Sequence, residues 1–142
     1  MRYILDASVA AKIVLPETDS DKARKLIAEF DQGLHELISP DIFSVEIAHA
    51  LTRAERQKRI NIGEALTLWS QALSIPPRFV RHRPFLPRAV AISSMARAGV
   101  YDCLYIALAE RESCELVTAD EKLVNNLQIQ KLFPFVIPLS SL

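Results

Sequence analysis

The chain has 142 residues, half of them hydrophobic, with 17 acidic and 17 basic side chains and three Gly. That length and composition predict one compact domain spanning residues 1–142 and exclude a disordered tail, and the zero net charge excludes a general nucleic-acid coat. No apolar run approaches the roughly 20 residues of a bilayer-spanning helix. No charged segment followed by a long apolar one opens the chain, and Cys103 and Cys114 make no disulfide framework, so the expected location is the cytoplasm, away from membranes.

Taken in chain order, Arg2–Leu5 reads as a short apolar strand and Ser8–Leu15 as a helix stopped by Pro16. Thr18 or Asp19 can cap a helix running to about Gln32, with Leu26, Ile27 and Phe30 as its apolar stripe and Gly33 as its stop. Glu36–Ile38 is a second strand. Pro40 and Asp41 open a long helix to about Arg59, and Asn61 caps another through about Ser74. Pro76 and Pro77 break the chain, and Arg78–His82 suits a short strand. Helices follow over Pro87–Ala98, ended by Gly99, and from near Tyr101 through Glu110. Glu115–Thr118 is a strand, Asp120–Asn126 a short helix and Phe135–Leu139 a last strand. This alternation predicts the α/β class: a three-layer α/β/α sandwich with a mostly parallel central sheet.

Four acids stand where a carboxylate is out of place. Asp6 closes the first strand, Glu46 interrupts Ile42-Phe43-Ser44-Val45-Glu46-Ile47-Ala48, Asp102 lies within Val100-Tyr101-Asp102-Cys103-Leu104, and Asp120 follows the Leu116–Thr118 strand. Burying an ionised carboxylate is costly without a partner. In a parallel sheet, ligands bind outside the carboxyl ends of the strands, so Asp6 and Asp120 share an edge if their strands are parallel neighbours. Glu46 and Asp102 each have helical spacing that turns them inward. Taken one at a time, Asp6 and Asp120 also suit helix capping, and Asp102 suits a first-turn acid. Capping does not explain four acids at one edge. Two unit charges about 4 Å apart repel by roughly 4 kcal/mol at an effective dielectric of 20, and a hard divalent cation, Mg²⁺ or Mn²⁺, removes that repulsion. Ser8 and Thr118 suit either hydrogen bonds to the carboxylates or metal waters from outside the ligand set, or ordinary capping and turn bonds.

Basic residues gather in two stretches. Ala65–Tyr101 contains no acid but holds Arg78, Arg81, Arg83, Arg88 and Arg97, and Arg53, Arg56, Lys58 and Arg59 form the second cluster. They suit either solvated faces or a phosphate-contacting rim, for which Arg53, Arg81 and Arg83 are the candidates.

At Ile4-Leu5-Asp6-Ala7-Ser8, Pro40-Asp41 leading to Glu46, Tyr101-Asp102-Cys103-Leu104-Tyr105-Ile106-Ala107-Leu108-Ala109 and Leu116-Val117-Thr118-Ala119-Asp120, the chain resembles the PIN-domain family. The resemblance is strongest to the VapC-type toxins of toxin–antitoxin pairs. It covers essentially the whole chain, in order and spacing, and rests on the ordered set more than on any one motif. It implies an endoribonuclease dependent on Mg²⁺ or Mn²⁺, with Asp6, Glu46, Asp102 and Asp120 as its catalytic, metal-holding acids and Ser8 and Thr118 as their polar neighbours. It also implies a homodimer, a VapB-like antitoxin, and cleavage leaving 5′-phosphate and 3′-hydroxyl ends. Cys103 stands where the resemblance expects Ala, and Pro76–Pro87 matches no family pattern. The alternative is a catalytically silent PIN-like module that binds RNA or protein. A haloacid-dehalogenase-like phosphatase would need an Asp where Ser8 stands. A di-iron protein would need a second pair like Glu46 and His49, so His49 reads as a surface or packing residue. The apolar helices Ile62–Ser74 and Pro87–Ala98 suit either core packing or a subunit surface.

Overall fold

A computed structural model describes residues 1–142. Five strands form one sheet: β1 (Arg2–Leu5), β2 (Glu36–Pro40), β3 (Arg78–Val80), β4 (Glu115–Thr118) and β5 (Val136–Pro138). Their spatial order is β3-β2-β1-β4-β5, and every adjacent pair is parallel. The helices are α1 (Ala7–Val14), α2 (Ser20–Asp31), α3 (Phe43–Arg56), α4 (Glu64–Ala72), α5 (Leu86–Ala96), α6 (Val100–Glu112) and α7 (Glu121–Gln130). Single-turn 3-10 helices precede α5 at Arg83–Phe85 and close the chain at Leu139–Ser141.

The connections explain the layers. From β1 the sheet grows one way, through β2 to β3, with α1–α4 in the crossovers. It then jumps back to β4 and grows the other way to β5, with α5–α7 in the crossovers. Right-handed crossovers running in opposite directions put their helices on opposite faces, which gives three layers. Helix contacts follow that division: α1–α4 pack on one another, and α5 packs on α6. The chain direction reverses between β1 and β4, so a crevice opens there at the carboxyl ends of the strands.

The core has 36 buried hydrophobic residues in one cluster, and β1, β2 and β4 run through it as near-continuous apolar segments, as expected for a sheet covered on both faces. Helix α6 is buried over Cys103–Ala109 on every side because it lies against β1, β2, β4 and α5. Its partners leave no polar face to show, so it lacks the usual amphipathic stripe.

Several boundaries differ from the sequence expectation. Asp19 occupies the position before α2 in a left-handed conformation and makes no side-chain cap bond. Helix α4 begins at Glu64, after Gly63, and not at Asn61. Glu55 of α3 takes over the capping, accepting from Gly63 N at 3.0 Å and Ala65 N at 2.8 Å. Helix α5 is ended by Arg97 in the left-handed region and not by Gly99, which is extended and precedes α6. β3 is shorter than Arg78–His82, and α7 runs on to Gln130 because its Nε2 donates to Ala96 O at 2.8 Å. The apolar stripes of α4 and α5 pack inward through Ala65, Ala72, Ala89, Ile92 and Ala96, while Leu66, Val90 and Met95 stay exposed. No helix is long and apolar enough to cross a membrane.

Candidate active site

The four acids line one open cleft of about 480 Å³ at the carboxyl edge of the sheet, together with Ser8. The pairing of β1 with β4 places them there. Leu5 is in register with Val117, so the next residues, Asp6 and Thr118, lie side by side, and Asp6 N donates to Val117 O at 3.0 Å.

Asp6 is buried and stands just before α1, yet its side chain makes no cap bond. Two hydroxyls converge on one of its oxygens instead: Ser8 Oγ and Thr118 Oγ1 each donate to Oδ2 at 2.6 Å. Neither bond uses Oδ1. The hydroxyls are themselves fixed, since Ala119 N donates to Ser8 Oγ at 3.0 Å and Asp120 N to Thr118 Oγ1 at 3.1 Å. Asp120 does cap α7, accepting from Leu123 N at 3.1 Å through Oδ1. The capping and convergent roles are therefore combined in Asp120 and separated in Asp6.

Glu46 lies in the first turn of α3, half-buried, and its Oε1 accepts from the phenol of Tyr105 at 2.6 Å. Tyr105 is 1% exposed, so its hydroxyl has no water to turn to. Asp102 is in the first turn of α6. Burial pushes the Glu46 carboxyl up to about 7, aided by the Asp6 charge and opposed by the Tyr105 bond. Burial also pushes Asp102 up to about 7, with Asp6, Asp120 and Glu46 adding repulsion. Asp6 is raised by burial too, against the two hydroxyl bonds. Tyr105 is held protonated by burial and by the neighbouring acids, so it remains a donor.

No three of these side chains are gathered closely enough to hold an ion by themselves. The donor set nevertheless fits a hydrated hard cation. It is all carboxylate oxygen, its members repel one another, and Mg²⁺ is usually held by one or two carboxylates with waters and substrate phosphates. Such an ion would sit among Asp6, Glu46, Asp102 and Asp120.

Of the predicted basic residues, Arg53 lines the cleft, two turns beyond Glu46 on the same stripe of α3 as Ala50 and Gln57. Arg81 and Arg83 do not line it: they follow β3, two strands from β1 and so about 10 Å along the edge. Arg88 is paired with Glu110 at 2.8 Å, and Arg97 terminates α5. The acid-free stretch is thus not one basic face. In the second cluster, Arg53 and Arg59 reach the cleft while Arg56 and Lys58 line a separate concavity. His49 also lines the cleft, on the helix surface. Tyr105, Lys12 and Glu17 were not singled out by the sequence. Tyr105 is one turn after Asp102 and Lys12 one turn after Ser8, and that helical spacing was their only signal.

The PIN domain family profile matches residues 3–126. The chain is 29% identical over 125 residues to Ribonuclease VapC3 of Pyrobaculum aerophilum, covering 87% of this chain and 92% of the relative. It is 32% identical over 124 residues to Ribonuclease VapC12 of Mycobacterium tuberculosis, covering 87% and 90%. A crystal structure from Pyrobaculum aerophilum shares the fold at a TM-score of 0.70 and 21% identity, over 99% of this chain and 94% of that one. The crystal structure of VapBC2 from Rickettsia felis, bound to a DNA fragment from their promoter, shares it at 0.62 and 14%, over 97% of both chains. With the profile spanning most of the sequence and VapC relatives aligned along nearly their whole length, the chain belongs to the PIN domain family, in its VapC-type branch.

Proposed function

We propose that this chain is a divalent-cation-dependent endoribonuclease, the toxin of a toxin–antitoxin pair, acting as a single nuclease domain in the cytoplasm. The carrying observation is the buried Asp6, fixed through Oδ2 by Ser8 and Thr118 in a cleft that Glu46, Asp102 and Asp120 also line. A buried acid held this rigidly, beside others whose protons are bound more tightly than usual, suits a site that exchanges protons for a cation. The VapC ribonuclease relatives support RNA as the substrate.

In this reading Asp6, Glu46, Asp102 and Asp120 hold Mg²⁺ or Mn²⁺. A bound divalent cation supplies neutralisation of phosphoryl charge and a more acidic water. Ser8 and Thr118 orient Asp6, and Tyr105 holds one oxygen of Glu46 so that the other is free for the cleft. Arg53 attracts the RNA backbone. The reading includes a homodimer and a VapB-like antitoxin; the VapBC2 neighbour supports the latter. The intact acids weigh against a silent binding module, since RNA binding alone gains nothing from negative charge beside phosphate.

The test is cleavage of a mixed RNA pool with Mg²⁺ or Mn²⁺ against EDTA, with Asp6→Asn alongside. Cutting that requires both cation and Asp6 is expected. Cutting by Asp6→Asn at the full rate would refute the site assignment, and metal-independent RNA binding without cutting would favour the silent module.

A further inference from the structure

Beyond the acids, the same cleft is lined by Lys12, Glu17, Arg53 and Arg59. Glu17, on the loop between α1 and α2, divides its two oxygens between two cations. Oε2 accepts from Lys12 Nζ at 3.3 Å and Oε1 from Arg59 Nη1 at 3.1 Å. Lys12 comes from the last turn of α1, and Arg59 from the segment after α3, so three separate parts of the chain meet at this carboxylate. Lys12 also donates to Thr18 O at 2.8 Å, and Arg59 to Gln57 Oε1 at 3.0 Å, which holds both heads in place without Glu17. Arg53 adds a third cation on the cleft-facing stripe of α3.

A carboxylate bridging an ammonium and a guanidinium presents one negative charge on two oxygens. A phosphodiester presents the same pattern through its two non-bridging oxygens. The Arg59–Glu17 pair is open to water, with Arg59 46% and Glu17 36% exposed, and the Lys12–Glu17 contact is long at 3.3 Å with Lys12 17% exposed, so neither is a tight tie and both can be exchanged. We propose that Lys12, Arg53 and Arg59 form a subsite for an RNA backbone phosphate neighbouring the scissile one, and that Glu17 is an internal counter-ion which the RNA displaces. The proposal rests on the endoribonuclease reading. Glu17 therefore lowers RNA affinity by occupying both cations until substrate arrives.

This predicts a sign opposite to that of a structural tie. Binding of a short, mixed-sequence, single-stranded RNA would be measured by fluorescence anisotropy over a range of salt, with Mg²⁺ present and Asp6→Asn as the non-cutting parent. Adding Glu17→Gln should tighten binding about fivefold and steepen the slope of log K against log salt by about 0.7. Adding Lys12→Gln or Arg59→Gln should weaken binding about fivefold and flatten the slope by a similar amount, while Lys12→Arg retains it. Thermal unfolding of each variant identifies any that fails to fold, and the exposed Arg59 gives a variant that folding does not limit. A folded Glu17→Gln protein that binds no tighter than its parent overturns the proposal and leaves the nuclease reading intact. A parent that binds no RNA, with no cutting by the unmutated chain, takes down the nuclease reading and the subsite together.

Discussion

The raised proton affinities of Glu46 and Asp102 should make the metal-free protein less stable as pH rises. Both carboxyls are pushed up to about 7, from ordinary values of 4.5 and 3.8. Their folded-state values lie above their unfolded ones, so between about pH 4 and about pH 7 the folded chain binds more protons, and stability falls with rising pH. At face value each rise represents roughly 3–4 kcal/mol. The cleft is open to water, and discounting by about half leaves roughly 3–4 kcal/mol for the pair. At about 3 °C per kcal/mol for a chain of this size, Tm in EDTA should fall by on the order of 10 °C between about pH 5 and about pH 8. The lone Trp69, whose Nε1 donates to Ser44 O at 2.9 Å, provides a fluorescence readout. Mg²⁺ at 100 times its Kd should return about 2.7 kcal/mol at about pH 8 and little at about pH 5, where protons occupy the acids. In Glu46→Gln the pH slope should shrink by about half. A Tm in EDTA that stays flat or rises over this range, or a slope undiminished by Glu46→Gln and Asp102→Asn together, would refute the reasoning.

Asp6→Asn should reduce cleavage by on the order of 10³-fold while its circular dichroism stays that of the unmutated chain. Tyr105→Phe removes the donor to Glu46 and should weaken Mn²⁺ binding about tenfold by calorimetry; unchanged affinity would make the phenol a packing group only. Thr118→Val keeps the shape but takes the donor from Asp6 and the acceptor from Asp120 N, so it should cost about 1–3 kcal/mol in denaturant unfolding. Arg53→Gln should flatten the salt dependence of RNA binding by about 0.7, whereas Arg81→Gln with Arg83→Gln should change it less, because both lie outside the cleft. Equal effects would extend the RNA path along the β3 edge.

The strands and the acids were legible because both depend on local pattern. β1 and β4 match their sequence boundaries, and their apolar runs end in Asp6 and, two residues past Thr118, Asp120. What was not legible came from tertiary partners. Glu55, eight residues before Gly63, caps α4 from another helix, and no local pattern at Asn61 reveals that. Helix α7 outlasts its apolar stripe because Asn126 and Gln130 amides bond Ala96 O, left open where α5 stops. The basic clusters misled for a related reason. Proximity along the chain says little about side chains that fan around a helix, so Arg53 and Arg59 face the cleft while Arg56 and Lys58 do not.

The four acids share a further property that explains how they can gather before any cation arrives. Asp6 and Asp120 hold the positions just before α1 and α7, and Glu46 and Asp102 lie in the first turns of α3 and α6. The fold requires these helix N-termini to meet. In a parallel sheet each strand delivers the chain to the carboxyl edge, so α1, α3 and α7, which follow β1, β2 and β4, all begin there. Helix α6 arrives differently. It precedes β4 by two residues, so its carboxyl end lies at the opposite edge. Its 13 residues span about 20 Å against about 13 Å for a four-residue strand, which carries its N-terminus to the cleft. Each helix N-terminus favours a nearby carboxylate by about 0.3–1 kcal/mol. Four such contributions offset part of the cost of burial and mutual repulsion but not all of it, since burial first, and the neighbouring charges after it, still make Asp6, Glu46 and Asp102 hold their protons more tightly than usual. A cation bound there as proposed would relieve the charge repulsion within that remainder, so the topology that gathers the acids would also set how strongly such a site favours one.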